Sequence, residues 1–199
     1  MEKFQEKLEK VIEKTFSILR ENHSESRIVF PSYRDSQRRV SEQELRFVFV
    51  EQVQNLLKEY DYFYSVETPT NSKYVFSDKK KYVNPYVAIK LGSGRSASFD
   101  LSIVDKDGNT IAIIEFKAKS AASHEYAKDL CKLWNPKEES HYKYFLNLFE
   151  KIEPDTQKRF LEKLDPKTNP WLNDKTSDEN VIVIAQSLRA QDELIKKVI

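Results

Sequence analysis

The chain has a single cysteine, Cys131, among its 199 residues, so no intrachain disulfide framework can form, and no Cys/His zinc spacing is present. Its three histidines, His23, His124 and His141, are too scattered to build a histidine metal centre. No apolar run approaches the roughly 20 residues that span a bilayer. The opening stretch Met1-Glu2-Lys3-Phe4-Gln5 alternates charge where a signal peptide would carry an apolar core. A cytoplasmic protein with no membrane partner is expected. Net charge is also missing: 33 basic residues stand against 32 acidic ones. That balance lacks the basic footprint of a dedicated nucleic-acid binder, although local patches or a bound cation can still offset phosphate charge. Glycine is scarcer still, and all three glycines, Gly92, Gly94 and Gly108, flank one charged segment.

That segment reads as a β-hairpin. Ser98-Phe99-Asp100 lies on its first arm, Glu115-Phe116-Lys117 on its second, and Asp107-Gly108 between them. Asp-Gly favours a two-residue type I′ turn, whose central residues both need positive φ. With Lys106 paired to Asn109, Asp100 falls opposite Glu115. Cross-strand partners share a face with Cβ atoms about 5 Å apart. Lys117, two residues on, lies on that face too. Two carboxylates so placed can share a hard divalent cation, and the lysine can steer a water or a phosphate oxygen. The second arm alternates Ala112, Ile114, Phe116 and Ala118 with Ile111, Ile113, Glu115, Lys117 and Lys119. A strand apolar on one face and half apolar on the other is expected at the centre of a sheet, its charges where burial ends. A solvated hairpin face or a structural ion-pair cluster is the competing reading.

Elsewhere, hydrophobic content of 39% suffices for one core and hence one domain. Phe4, Leu8, Val11, Ile12, Phe16 and Leu19 mark an amphipathic first helix that packs on the domain or, alternatively, makes a homodimer. Residues Arg27–Phe30 read as a short extended piece. Ser41 with Glu44 looks like a capping box opening a helix to about Tyr60. Strands are expected at Tyr62–Thr68, stopping at Pro69, then at Tyr74–Phe76 and Tyr86–Leu91 around the Lys79–Lys81 loop. That loop mixes cations with aromatics, as single-strand binders do. Helices are expected at Ala122–Trp134, His141–Lys151, Thr156–Leu164 and Gln191–Val198, with a buried strand at Val181–Ala185.

The acidic residue on one strand and Glu-x-Lys on the next, Asp100 with Glu115-Phe116-Lys117, resemble the PD-(D/E)XK phosphodiesterase superfamily. The similarity covers roughly Ser41 to Ile199, with Phe99 where the family's name has Pro. It implies a restriction-endonuclease-like α/β fold, a mixed four- or five-stranded sheet flanked by helices, over residues 41–199. Residues 1–40 would form an N-terminal helix and connection packed on it. The implied activity is Mg²⁺-dependent nuclease chemistry, Mn²⁺ substituting, on DNA in preference to RNA, in bacterial restriction, repair or phage defence. Asp100, Glu115 and Lys117 would be catalytic, and Asp100 and Glu115 would hold the metal. A glutamate of the first core helix, Glu44 with Glu51 in reserve, would assist. Arg95, Lys119, Lys128 and Lys132 are the candidate nucleic-acid contacts, and Ser98 could orient Lys117. A nuclease-like fold kept as an inactive binding or interaction module is the alternative.

Overall fold

The apolar stripe Phe4, Leu8, Ile12, Phe16 and Leu19 is buried along one side of α1 (Glu2–Glu21) in the computed structural model, which describes residues 2–21, 26–30, 39–74, 95–172, 179–189 and 191–199. It packs on α2 (Glu42–Tyr60), whose Leu45, Val48, Phe49 and Val53 face the same core. Phe4 meets Tyr60 edge-on with centroids 5.0 Å apart.

Among the described residues both helices lie on one face of a six-stranded mixed sheet. Its strands stand in chain order: β1 (Phe63–Tyr74), β2 (Arg95–Val104), β3 (Thr110–Ala118), β4 (Tyr142–Phe149), β5 (Ile182–Ser187) and β6 (Ile195–Val198). β1, β2 and β3 run antiparallel, β3, β4 and β5 parallel, and β6 antiparallel to β5. The parallel steps are made through α3 (Ser123–Leu133) and α4 (Pro154–Leu164), which cover the other face. β3 is therefore central and sandwiched, as its composition predicts. Ala112, Ile114 and Phe116 enter the core beneath α1 and α2, while Ile113 enters the core with Tyr126, Leu130 and Leu133 of α3. Among the described residues no helix is long and apolar enough to cross a membrane.

Two segments expected as helices are strands. In His141–Lys151 the run Tyr144-Phe145-Leu146 is apolar at every position because β4 is buried on both faces between β3 and β5. Such a run carries no period that separates helix from strand. The Gln191–Val198 segment instead yields β6, whose ladder with β5 runs from Ile182↔Val198 to Ala185↔Ile195. Lys196 there pairs with Glu9 of α1 at 2.5 Å. Pro69 does not stop β1: it pairs with Ser98 and the strand continues to Tyr74. Among the described residues β1 pairs with β2 alone, and an edge strand is where a sheet tolerates proline. Arg27–Phe30 carries no strand. Phe76, the Lys79–Lys81 loop, the strand expected at Tyr86–Leu91, Gly92 and Gly94 lie outside the described residues.

The hairpin turn differs from the expected type I′. Asp105 and Asn109 bracket it, Gly108 N–H donates to Asp105 O at 3.1 Å, and Gly108 has φ +85° while Asp107 is not in the positive-φ region. The Asp105 carboxylate takes the Asp107 and Asn109 amides at 2.9 and 2.8 Å. The longer loop would shift the register by one, and a bulge between Ile103 and Val104 restores it: Val104 pairs with Thr110 but Ile103 with Ala112. No atom lies within 4 Å of a Cβ built on Gly108. Gly108→Ala is therefore expected to cost only the left-handed strain, roughly 1 kcal/mol, read as a lower urea midpoint with unchanged slope.

Candidate functional site

The restored register places the three hairpin charges. Leu101 pairs with Ile114, so Asp100 comes beside Glu115 at the point where the β2–β3 ladder ends. Asp100 continues the contact with its side chain, Oδ2 accepting the Phe116 amide at 2.8 Å. Glu115 and Lys117, two apart on β3, face α3 like Ile113 before them.

Helix α3 brings two further charges to that face, and the first turn of α2 brings another. Lys132 Nζ lies 2.5 Å from Glu115 Oε1, 3.2 Å from Asp129 Oδ1 and 2.9 Å from the Ser98 carbonyl oxygen. Lys117 Nζ lies 2.7 Å from Asp129 Oδ2 and 3.8 Å from Glu42 Oε2. Glu115, Asp129 and Lys132 are 1%, 3% and 3% exposed, so these charges have left water almost completely. Charges so buried persist only when paired and hydrogen-bonded. Four carboxyl groups, Asp100, Glu115, Asp129 and Glu42, meet two ammonium groups here, two acids more than there are cations to pair them.

The electrostatics follow from burial first and from that excess second. Burial pushes the Glu115 carboxyl well above its ordinary value, Lys132 opposes the rise, and Asp129 and Asp100 add to it. Burial and Asp100 likewise raise Glu42 against the pull of Lys117. Burial draws both lysines down, but Asp129 with Glu42 outweighs it at Lys117, and Glu115 with Asp129 at Lys132, holding both above the usual lysine range. Burial is the larger cause at the two carboxyl groups, and the neighbouring carboxylates add to it; at the two lysines the carboxylates overcome burial.

The other sequence-derived residues are distributed differently. Glu44 is buried against Arg39, Oε1 to Nη2 at 2.7 Å, and Ser41 makes no side-chain cap, so the expected capping box is absent. Glu51 accepts Ser26 Oγ at 2.6 Å and the Arg27 amide at 2.9 Å. Both glutamates are thus engaged elsewhere, and Glu42 is the α2 carboxylate beside the cluster. Lys132, expected on an exposed basic stripe with Lys128, is instead buried in the cluster; Lys128 is exposed. Lys119 is exposed where the chain leaves β3 at φ +64°. The side chain of Arg95 lies outside the described residues. Ser98 meets Lys132 through its carbonyl rather than orienting Lys117.

Asp129 and Lys132 are legible in part from the sequence, since they follow Tyr126 by three and six residues and so share the inward stripe of α3 with Leu130 and Leu133.

Among the described residues no group of three His, Cys, Asp or Glu side chains is arranged to hold a metal ion. The Lys132 ammonium bridges Glu115 and Asp129, occupying the space between them. The donor chemistry nevertheless fits a hard cation: Asp100 and Glu115 offer carboxylate oxygens, and the cluster lacks positive charge. Comparison with protein-family models, curated proteins and solved structures finds no match.

Proposed function

We propose that this chain is a metal-dependent phosphodiesterase of restriction-endonuclease-like type that hydrolyses DNA in preference to RNA. The observation that carries the reading is that Asp100 comes beside the buried Glu115, with Lys117 on the same strand face and more carboxyl groups than cations around them. The order of elements, α2, three antiparallel strands, α3, then a parallel strand and α4, supports it. Asp100 and Glu115 would hold Mg²⁺, or Mn²⁺ in its place. Bound there, the ion would act as a Lewis acid toward phosphate and lower the pKa of water. Lys117 stays charged, so its part is to orient the attacking water and to neutralise the charge developing on phosphate. Of the cations expected to contact nucleic acid, Lys119 and Lys128 are exposed. The purified chain with Mn²⁺ is expected to nick plasmid in an EDTA-sensitive manner. Inertness toward plasmid, single-stranded DNA and RNA would overturn the reading.

The Glu115–Lys132 pair favours one alternative, a nuclease-like fold that binds or assembles without catalysis, its charges pairing among themselves. Thermal shift separates the two. A cation binding only the folded state stabilises by about 2.7 kcal/mol at a hundredfold excess over Kd. The non-catalytic reading expects no such response to Mg²⁺ or Mn²⁺.

A further inference from the structure

Lys132 is held in a cage of three oxygens: Glu115 Oε1 at 2.5 Å, the Ser98 carbonyl at 2.9 Å and Asp129 Oδ1 at 3.2 Å. An ammonium has three N–H donors, and these three acceptors can take all of them. Its Nζ also sits 5.5 Å from the Phe99 ring centroid, which adds a cation–π contact on the remaining side. Two carboxylates and a backbone carbonyl are, in addition, the donor types a hard divalent ion takes. Lys117 stands differently, its ion pairs being with Asp129 and Glu42.

Glu115 is the one group claimed twice: by Lys132 in the structure and by the cation in the metal-dependent reading, on which this inference rests. We propose that Lys132 is a built-in counter-cation that competes with the divalent ion for Glu115. Asp129 is the residue that lets it yield. Buried and already touching both ammonium groups, Asp129 retains Lys132 when the ion takes Glu115, so no charge is left unpaired. The two states exchange one cation for another at a fixed carboxylate. The competition sets a threshold, and the site fills only when the divalent ion outbids the ammonium. Metal occupancy then depends on a residue of α3 that is not itself a ligand.

The test is calorimetric titration of Mg²⁺ and of Mn²⁺ into the wild-type chain, Lys132→Met and Lys117→Met. Methionine keeps the approximate length of lysine and removes its charge. Lys132→Met is expected to bind roughly tenfold more tightly, within the 5- to 150-fold span usual for coupled equilibria. Lys117→Met, which removes equal charge from the same cluster without freeing Glu115, should gain no more than about twofold. Equal gains in both variants would reduce the effect to net charge and overturn the competition. Wild-type binding without a gain in Lys132→Met overturns it too and leaves the metal-dependent reading standing. Binding by Lys132→Met alone supports it, whereas binding by neither removes both. Should Lys132→Met fail to fold, the wild-type chain still decides. The ammonium resonance of the caged lysine should shift on saturation with Mg²⁺, as Glu115 leaves it while Asp129 keeps it, and should not shift in NaCl of equal ionic strength. An unshifted resonance at saturating Mg²⁺ would overturn the proposal.

Discussion

Glu115→Gln and Asp100→Asn should each lose Mn²⁺-dependent cleavage by about a thousandfold or more, with little change in the folding midpoint. The loss follows because each variant removes a charged oxygen donor from the proposed cation. The midpoint holds for a different reason in each. Asn at 100 keeps a carbonyl oxygen to accept the Phe116 amide, which Asp100 accepts at 2.8 Å. Gln at 115 keeps the size of the side chain and removes one acid from a cluster with more carboxyl groups than cations. The same excess gives the parent chain a pH dependence in EDTA. Burial raises the Glu115 carboxyl above its ordinary value of 4.5. The native state thus keeps a proton that the unfolded state releases. The contribution of this group to stability is full below 4.5 and is lost as pH rises through the native value. Glu115→Gln has no such group. Between about pH 5 and pH 8 the parent should therefore lose stability relative to Glu115→Gln. A nicking assay, metal titration and thermal melts at both pH values test this. Unchanged metal affinity in the Asp100/Glu115 double variant would make the hairpin charges structural.

Lys117→Ala should also lose cleavage, by roughly a hundred- to a thousandfold, while metal affinity stays within a few-fold. In the proposed reaction the separation arises because Lys117, paired with Asp129 and Glu42, would act on water and phosphate rather than on the ion. Lys117→Arg should rescue little. The ammonium is a compact point charge lodged between two carboxylates, and a planar guanidinium with a fixed fork does not reproduce that position. Full cleavage by Lys117→Ala would sink the catalytic assignment, whatever the metal titration shows.

The central strand is legible in the amino-acid sequence, because Ile111 to Ile114 is apolar on both alternating faces and only a covered strand accepts that. α1, α2, α3 and α4 are legible from their apolar spacing, and β5 from its short apolar run. β4 is not, since a strand buried on both sides loses the alternation that would distinguish it. Nor is β6, because Leu194, Ile195 and Val198 fit a helical stripe until β5 offers a partner edge.

The sequence by itself determined the hairpin, the side of it on which Glu115 and Lys117 fall, and the residue brought opposite Glu115. These depend on local backbone periodicity, and the bulge between Ile103 and Val104 compensates for the wrong turn type. The tertiary structure alone decided which charges complete the cluster. Glu42, Asp129 and Lys132 are separated from the hairpin along the chain, and they meet it only because α2 and α3 dock as they do. Glu44 and Glu51, equally plausible on a helix considered alone, were assigned by the same docking to Arg39 and to Ser26 with Arg27. Spacing along a helix specifies which side a charge faces, whereas its partner depends on what lies across the interface, and that is a property of packing.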